Sequence, residues 1–142
     1  MMRTGVTTED LLPHRGRMKL VDEIIEVDEK KAVTFATVTP KWPFFKDETV
    51  HSLVCIELVA QTAGISNCWE GQKKYGEHFV NRGWLVGIKQ AAFYLDSIPV
   101  DSRITTRSEN RFEFEGYIEI RGTVEIEAKV AAEIRLQLMQ SE

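Results

Sequence analysis

The sequence predicts an α+β domain in which an antiparallel sheet wraps around one long buried helix. Three observations predict it. Residues Ser52 to Tyr75 repeat apolar side chains at helical spacing and are apolar on nearly every side, the pattern of a helix buried all round. The chain that follows alternates apolar and polar residues with a period of two, as strands with one buried face do. The breaks between those segments are short, which suits antiparallel neighbours.

The elements follow in order. Thr7 and Thr8, ahead of Glu9-Asp10-Leu11-Leu12, start a short helix that Pro13 stops. Met18 to Val27 and Lys31 to Thr39 read as two strands with a turn near Asp28-Glu29-Lys30. Pro40 and Pro43 bracket a loop that runs to His51. Ser52 is placed to cap the long helix, and Gly71 or Gly76 to end it. Leu53, Ile56, Val59, Ala60 and Ala63 share helical spacing, while Val54, Leu58 and Ile65 make its other faces apolar too. Trp84 to Tyr94 is the next strand, and Ser97 to Ser102 is a turn-rich break around Pro99. Arg103 to Phe114 follows. Past Gly116, Ile118, Ile120, Val124 and Ile126 alternate with polar residues, and after a turn at Glu127 to Lys129 so do Ala132, Ile134, Leu136 and Leu138.

At 142 residues the chain is one domain, spanning 1–142. Hydrophobic residues make up 43% and charged residues 28%, an ordinary globular balance. The net charge of −4 and the scattered lysines and arginines give no nucleic-acid footprint and no membrane-surface patch. Cys55 and Cys68 sit in the helical segment, about 20 Å apart at 1.5 Å per residue, too far to bridge. A reducing compartment is therefore expected. No metal-binding spacing occurs, and neither a metal nor any other cofactor is expected. Met1 to Asp10 lacks an apolar leader run, and Leu58 to Trp69 is too short to span a bilayer. A cytoplasmic protein is expected.

Several short segments carry a resemblance. Leu11-Leu12-Pro13-His14-Arg15, with Met18 and Leu20-Val21-Asp22, resembles the opening of the beta-hydroxyacyl-(acyl-carrier-protein) dehydratases. Pro43-Phe44-Phe45 resembles their loop before the helix, and Ile56-Glu57-Leu58-Val59-Ala60-Gln61-Thr62-Ala63-Gly64 their central helix. Gly87-Ile88-Lys89-Gln90-Ala91-Ala92-Phe93 is similar to the strand after it, and Pro99-Val100-Asp101 to a Pro-Gly-Asp turn. The resemblance implies a hot-dog fold and action on acyl thioesters of acyl carrier protein or coenzyme A, without a metal or redox cofactor. One departure stands out. In the family a Gly-His-Phe-Pro-Gly stretch with the catalytic histidine follows the Phe-Phe pair. This chain reads Phe45-Lys46-Asp47-Glu48-Thr49-Val50-His51-Ser52 instead.

Glu57 is the first candidate catalytic residue. A carboxylate on a buried helix is costly unless paired, and such groups in clefts are functional candidates. The plainer alternative is an ion pair across an interface. Gln61 and Gly64 follow at i+4 and i+7 on the same face. Gln61 either orients Glu57 or caps a buried strand carbonyl. Gly64 either opens a slot for the acyl arm or permits close packing. His51, six residues before Glu57, either serves as general base near neutral pH or caps the helix. Free N–H groups at the helix start suit the thioester carbonyl. Phe44 and Phe45, with Trp42 and Trp69, line an acyl pocket or fill the core. His14 reads as structural, with Arg15 as an ion-pair partner, and His78 as solvated. Three functions stay open: dehydration of a 3-hydroxyacyl thioester, thioester hydrolysis, and a non-catalytic hot-dog subunit. A helix apolar all round, covered by one sheet, also predicts a homodimer or a multiple of one.

Overall fold

The computed structural model describes residues 7–11, 19–76 and 82–141. A short helix α1 (Thr8–Leu11) precedes strands β1 (Glu23–Val27) and β2 (Lys31–Thr37). Two short strands, β3 (Phe45–Lys46) and β4 (Thr49–His51), lead into the long helix α2 (Val54–Tyr75). Then come β5 (Arg82–Phe93), β6 (Ser97–Pro99), β7 (Arg103–Phe114), β8 (Tyr117–Ile126) and β9 (Lys129–Ser141). Six strands form one antiparallel sheet in the order β1-β2-β7-β8-β9-β5, and β3-β4-β6 form a small second sheet.

The core is the space between α2 and the inner face of the large sheet. Ile104 on β7, Ile118, Ile120 and Val124 on β8, and Ala132, Ile134 and Leu136 on β9 all turn inward and are buried. They meet Val54, Leu58, Val59, Ala63 and Ile65 of the helix in one cluster. The contact is partly polar, and two pairs of polar side chains bond across it, while Ser108 Oγ and Asn110 Oδ1 are buried without a partner among the described residues. Thr34 and Thr62 share a hydroxyl hydrogen bond of 2.8 Å, and Asn110 Nδ2 donates to Asn67 Oδ1 at 2.9 Å. Buried polar side chains are tolerated when paired in this way.

Three hairpins close on two-residue turns whose central residues are both left-handed. They are Asp47-Glu48 (φ 51° and 64°), Glu115-Gly116 (46° and 84°) and Glu127-Ala128 (49° and 68°). This is the type I′ twist that matches the strand twist, normally supplied by Asn-Gly. Only one of the three turns contains glycine, so the β3–β4 hairpin carried no turn signal. Its strands are also too short to show alternation. The expected loop from Pro40 to His51 therefore contains a hairpin, and the expected break at Ser97 to Ser102 contains β6, which pairs with β4.

Helix α2 also begins differently from expectation. Leu53 stands at its N-cap and makes no side-chain cap bond. Ser52 is occupied elsewhere: its N–H donates to the Asp96 carbonyl at 3.1 Å and its hydroxyl to the Leu95 carbonyl. At the other end Gly76, with φ 99°, closes the helix through its N–H to Gln72 O, so Gly71 lies inside it.

Helix and sheet come close together at Gly122 on β8. A methyl group there would overlap the Val59 side chain, and Val59 is wholly buried. Valine favours strands, so any loss from Gly122→Val reports the clash alone. We expect it to lower unfolding stability by about 1–3 kcal/mol, the usual cost of overpacking. Adding Val59→Ala should recover part of the loss in urea denaturation.

Candidate functional site

Two consecutive elements meet at the start of α2 and carry the site. Glu57 and Gln61 stand one turn apart on one helix face. Gln61 is 1% exposed. Its Oε1 accepts the Leu20 N–H at 3.1 Å, and its Nε2 donates to Glu57 Oε1 at 3.1 Å. The backbone donor fixes which end of the amide is oxygen, so the NH2 end must face the carboxylate. The bond to Glu57 is the contact that the orienting role foreseen for Gln61 requires. Its Oε1 takes the Leu20 N–H as a backbone partner. Glu57 itself is half-buried in the single chain, as is Gly64 at i+7 on the same face.

His51 ends β4 and is exposed. Its Nδ1 accepts the Leu53 N–H at 3.0 Å, so it satisfies one of the donors at the helix entry. The next donors are taken as well: the Cys55 N–H bonds to Ser52 O at 3.0 Å and the Ile56 N–H to Leu53 O at 3.1 Å. Val54, between them, is wholly buried. Among the described residues His51 makes no bond to Glu57. The structure thus places both residues at one end of the helix, each held by its own partner.

The aromatic candidates divide. Phe44 is 59% exposed and holds a left-handed φ of 65°, a strained conformation for a bulky residue. Phe45 packs against the core, as does Trp69, and Trp42 belongs to it. His14, Arg15 and His78 lie outside the described residues. Leu20 was missed as a site residue, because a backbone N–H leaves no mark in a sequence.

Burial pushes the Cys55 thiol up to about 12, which keeps it from forming the thiolate that a nucleophile needs. Among the described residues no three His, Cys, Asp or Glu side chains gather as a metal site. No described helix is long and apolar enough to cross a membrane. A cavity of about 550 Å³ opens at the far end of α2, between Asn67, Glu70 and Tyr75 and the β7–β8 hairpin. It includes neither Glu57 nor His51, and lies ~15 Å along the helix from Glu57 at 1.5 Å per residue.

Comparison with known proteins bears on this site. A family model described as ApeP-like, ApeP dehydratase, matches residues 6–142. The 3-hydroxyacyl-[acyl-carrier-protein] dehydratase FabZ of Burkholderia mallei is 33% identical over 132 residues, covering 89% of this chain and 83% of that protein. Among solved structures, the dehydratase heterocomplex ApeI:P from Xenorhabdus doucetiae superposes with a TM-score of 0.87 at 19% identity, covering 98% of this chain and 93% of that one. Cj0977, a sigma28-regulated virulence protein of Campylobacter jejuni, gives a TM-score of 0.72 at 13% identity, covering 95% and 87%. The sheet, the single wrapped helix and these likenesses together make the fold a hot-dog fold.

Gln61 is the piece of this geometry most easily removed. Gln61→Leu keeps the volume but leaves the buried Leu20 N–H without its acceptor. We expect a stability loss of about 1–3 kcal/mol, read as a lower denaturation midpoint.

Proposed function

The chain belongs to the ApeP-like dehydratase family, and from that membership we propose that it removes water from a 3-hydroxyacyl thioester carried on an acyl carrier protein. The FabZ relatives are named for that substrate class. The observation that carries the reading is the Glu57 carboxylate, held by buried Gln61 just inside the helix that follows His51. β-Elimination needs a group to take the proton from C2, a proton for the departing C3 hydroxyl, and a donor for the thioester oxygen. Glu57 and His51 are the pair we assign to these tasks. Gln61 positions Glu57, while Gly64 and exposed Phe44 border the acyl arm. Phe45 supports this region from the core side.

The site is incomplete in one chain, and the sheet offers the means to complete it. β5 is a terminal strand of the large sheet, and Trp84, Leu85, Val86 and Ile88 along it are exposed. An exposed apolar edge strand is a template for pairing. We assign it to a homodimer joined edge to edge, in which His51 of one chain meets Glu57 of the other. Two free, buried cysteines fit a reducing compartment, and we place the protein in the cytoplasm.

The same bare edge favours a second reading, a non-catalytic subunit that pairs with a different hot-dog chain. The ApeI:P structure is titled a heterocomplex. Mass spectrometry of 3-hydroxyacyl carrier protein mixed with this protein separates the readings. Loss of water is the expected result. Loss of the acyl group would mean hydrolysis, and no change would mean a partner subunit. Glu57→Gln keeps the shape of the side chain and cannot exchange a proton. It should cut dehydration by at least about 100-fold with an unchanged melting temperature.

A further inference from the structure

The thioester carbonyl needs a hydrogen-bond donor, and the helix entry has none to spare. The Leu53, Cys55 and Ile56 N–H groups are engaged within the chain, and Val54 is buried. His51 supplies what is missing, through the atom that its own hydrogen bond leaves over. Its Nδ1 accepts the Leu53 N–H. A ring nitrogen that accepts holds no hydrogen, so the neutral imidazole carries its hydrogen on Nε2. That atom faces outward on an exposed side chain.

We propose that His51 works as a neutral hydrogen-bond donor through Nε2, and that the Glu57 carboxylate carries the proton alone. This rests on the dehydratase reading of the site and divides its roles. The Glu57 carboxylate takes the proton from C2, and the electron pair of that C–H bond moves into the thioester carbonyl. The resulting enolate oxygen accepts the Nε2–H of His51. Glu57, now a carboxylic acid, gives the same proton to the C3 hydroxyl. The C3–O bond breaks with its electron pair, water departs, and the enolate electrons form the C2=C3 bond. Glu57 ends as it began, and His51 neither gains nor loses a proton.

A base role for His51 requires the opposite tautomer, with hydrogen on Nδ1 and the lone pair on Nε2. That ring would turn an N–H against the Leu53 N–H and leave both donors unmatched. An imidazolium ring meets the same obstacle. A preorganised neutral donor needs no such change, and donors of this kind contribute about 10²–10³-fold to turnover.

The first test needs no substrate. The chain has three histidines, so ¹⁵N-histidine labelling gives few signals, and His51→Gln assigns the one of interest. Near neutral pH the His51 Nε2 should be protonated and Nδ1 bare. A protonated Nδ1 overturns the proposal even if the protein dehydrates its substrate. The second test is kinetic. Glutamine at this position keeps an N–H donor and cannot act as a base, so His51→Gln should retain at least about tenfold more dehydration than His51→Ala. Equal losses in the two variants would also overturn it. A wild-type protein that leaves 3-hydroxyacyl carrier protein unchanged would defeat the dehydratase reading, and the tautomer would still be decided by the nitrogen spectrum.

Discussion

A helix of 22 residues whose side chains are buried on most of its circumference cannot stand in water, and the rest of the molecule is arranged to cover it. A flat sheet would protect one side only. The six-stranded sheet curves around the helix, and it presents small or apolar residues where the two come close. Gly122 beneath Val59 marks one such approach. Two pairs of residues that would resist burial are matched across the contact, Thr34 with Thr62 and Asn67 with Asn110. Burial of apolar area supplies the drive, and pairing keeps these polar residues from opposing it.

That burial also builds the chemistry. Gln61 is buried, and its amide bonds to the Leu20 N–H on one side and to Glu57 on the other. A carboxylate gripped from within the core has few rotamers left, and a fixed carboxylate is what proton transfer demands. His51 is positioned by a different device. The β3–β4 hairpin, tied to β6, sets the ring at the helix entry, and the Leu53 N–H sets its orientation. Core packing positions one residue and backbone hydrogen bonding the other, and both end at the same turn of the helix.

Much of this was legible in the sequence, for reasons specific to each element. The strand from Arg103 to Phe114 was placed at its observed ends, and the helical segment from Ser52 to Tyr75 at its observed C-terminal end. Glu57 and Gln61 were visible as polar residues one turn apart on a greasy helix. The small sheet was not legible, because β3, β4 and β6 span two or three residues each and the Asp47-Glu48 turn lacks glycine. The cap at Ser52 was misjudged because a serine before a helix satisfies two local uses equally well. Only the fold showed that the Leu95 carbonyl claims its hydroxyl. The close packing at Gly122 was not foreseen, since a glycine in a strand says nothing of what crosses above it.

The exposed edge of β5 and the exposed ring of His51 are the features on which the proposed shared site rests. Mixing two inactive variants tests that claim most directly. His51→Ala and Glu57→Gln chains are unfolded, combined in equal amounts and refolded, and dehydration is measured. If sites form between chains, random pairing leaves one intact site in each mixed dimer. About a quarter of the wild-type activity should then return. If each site lies within one chain, no pairing restores it, and a mixture as inactive as its components would contradict the account.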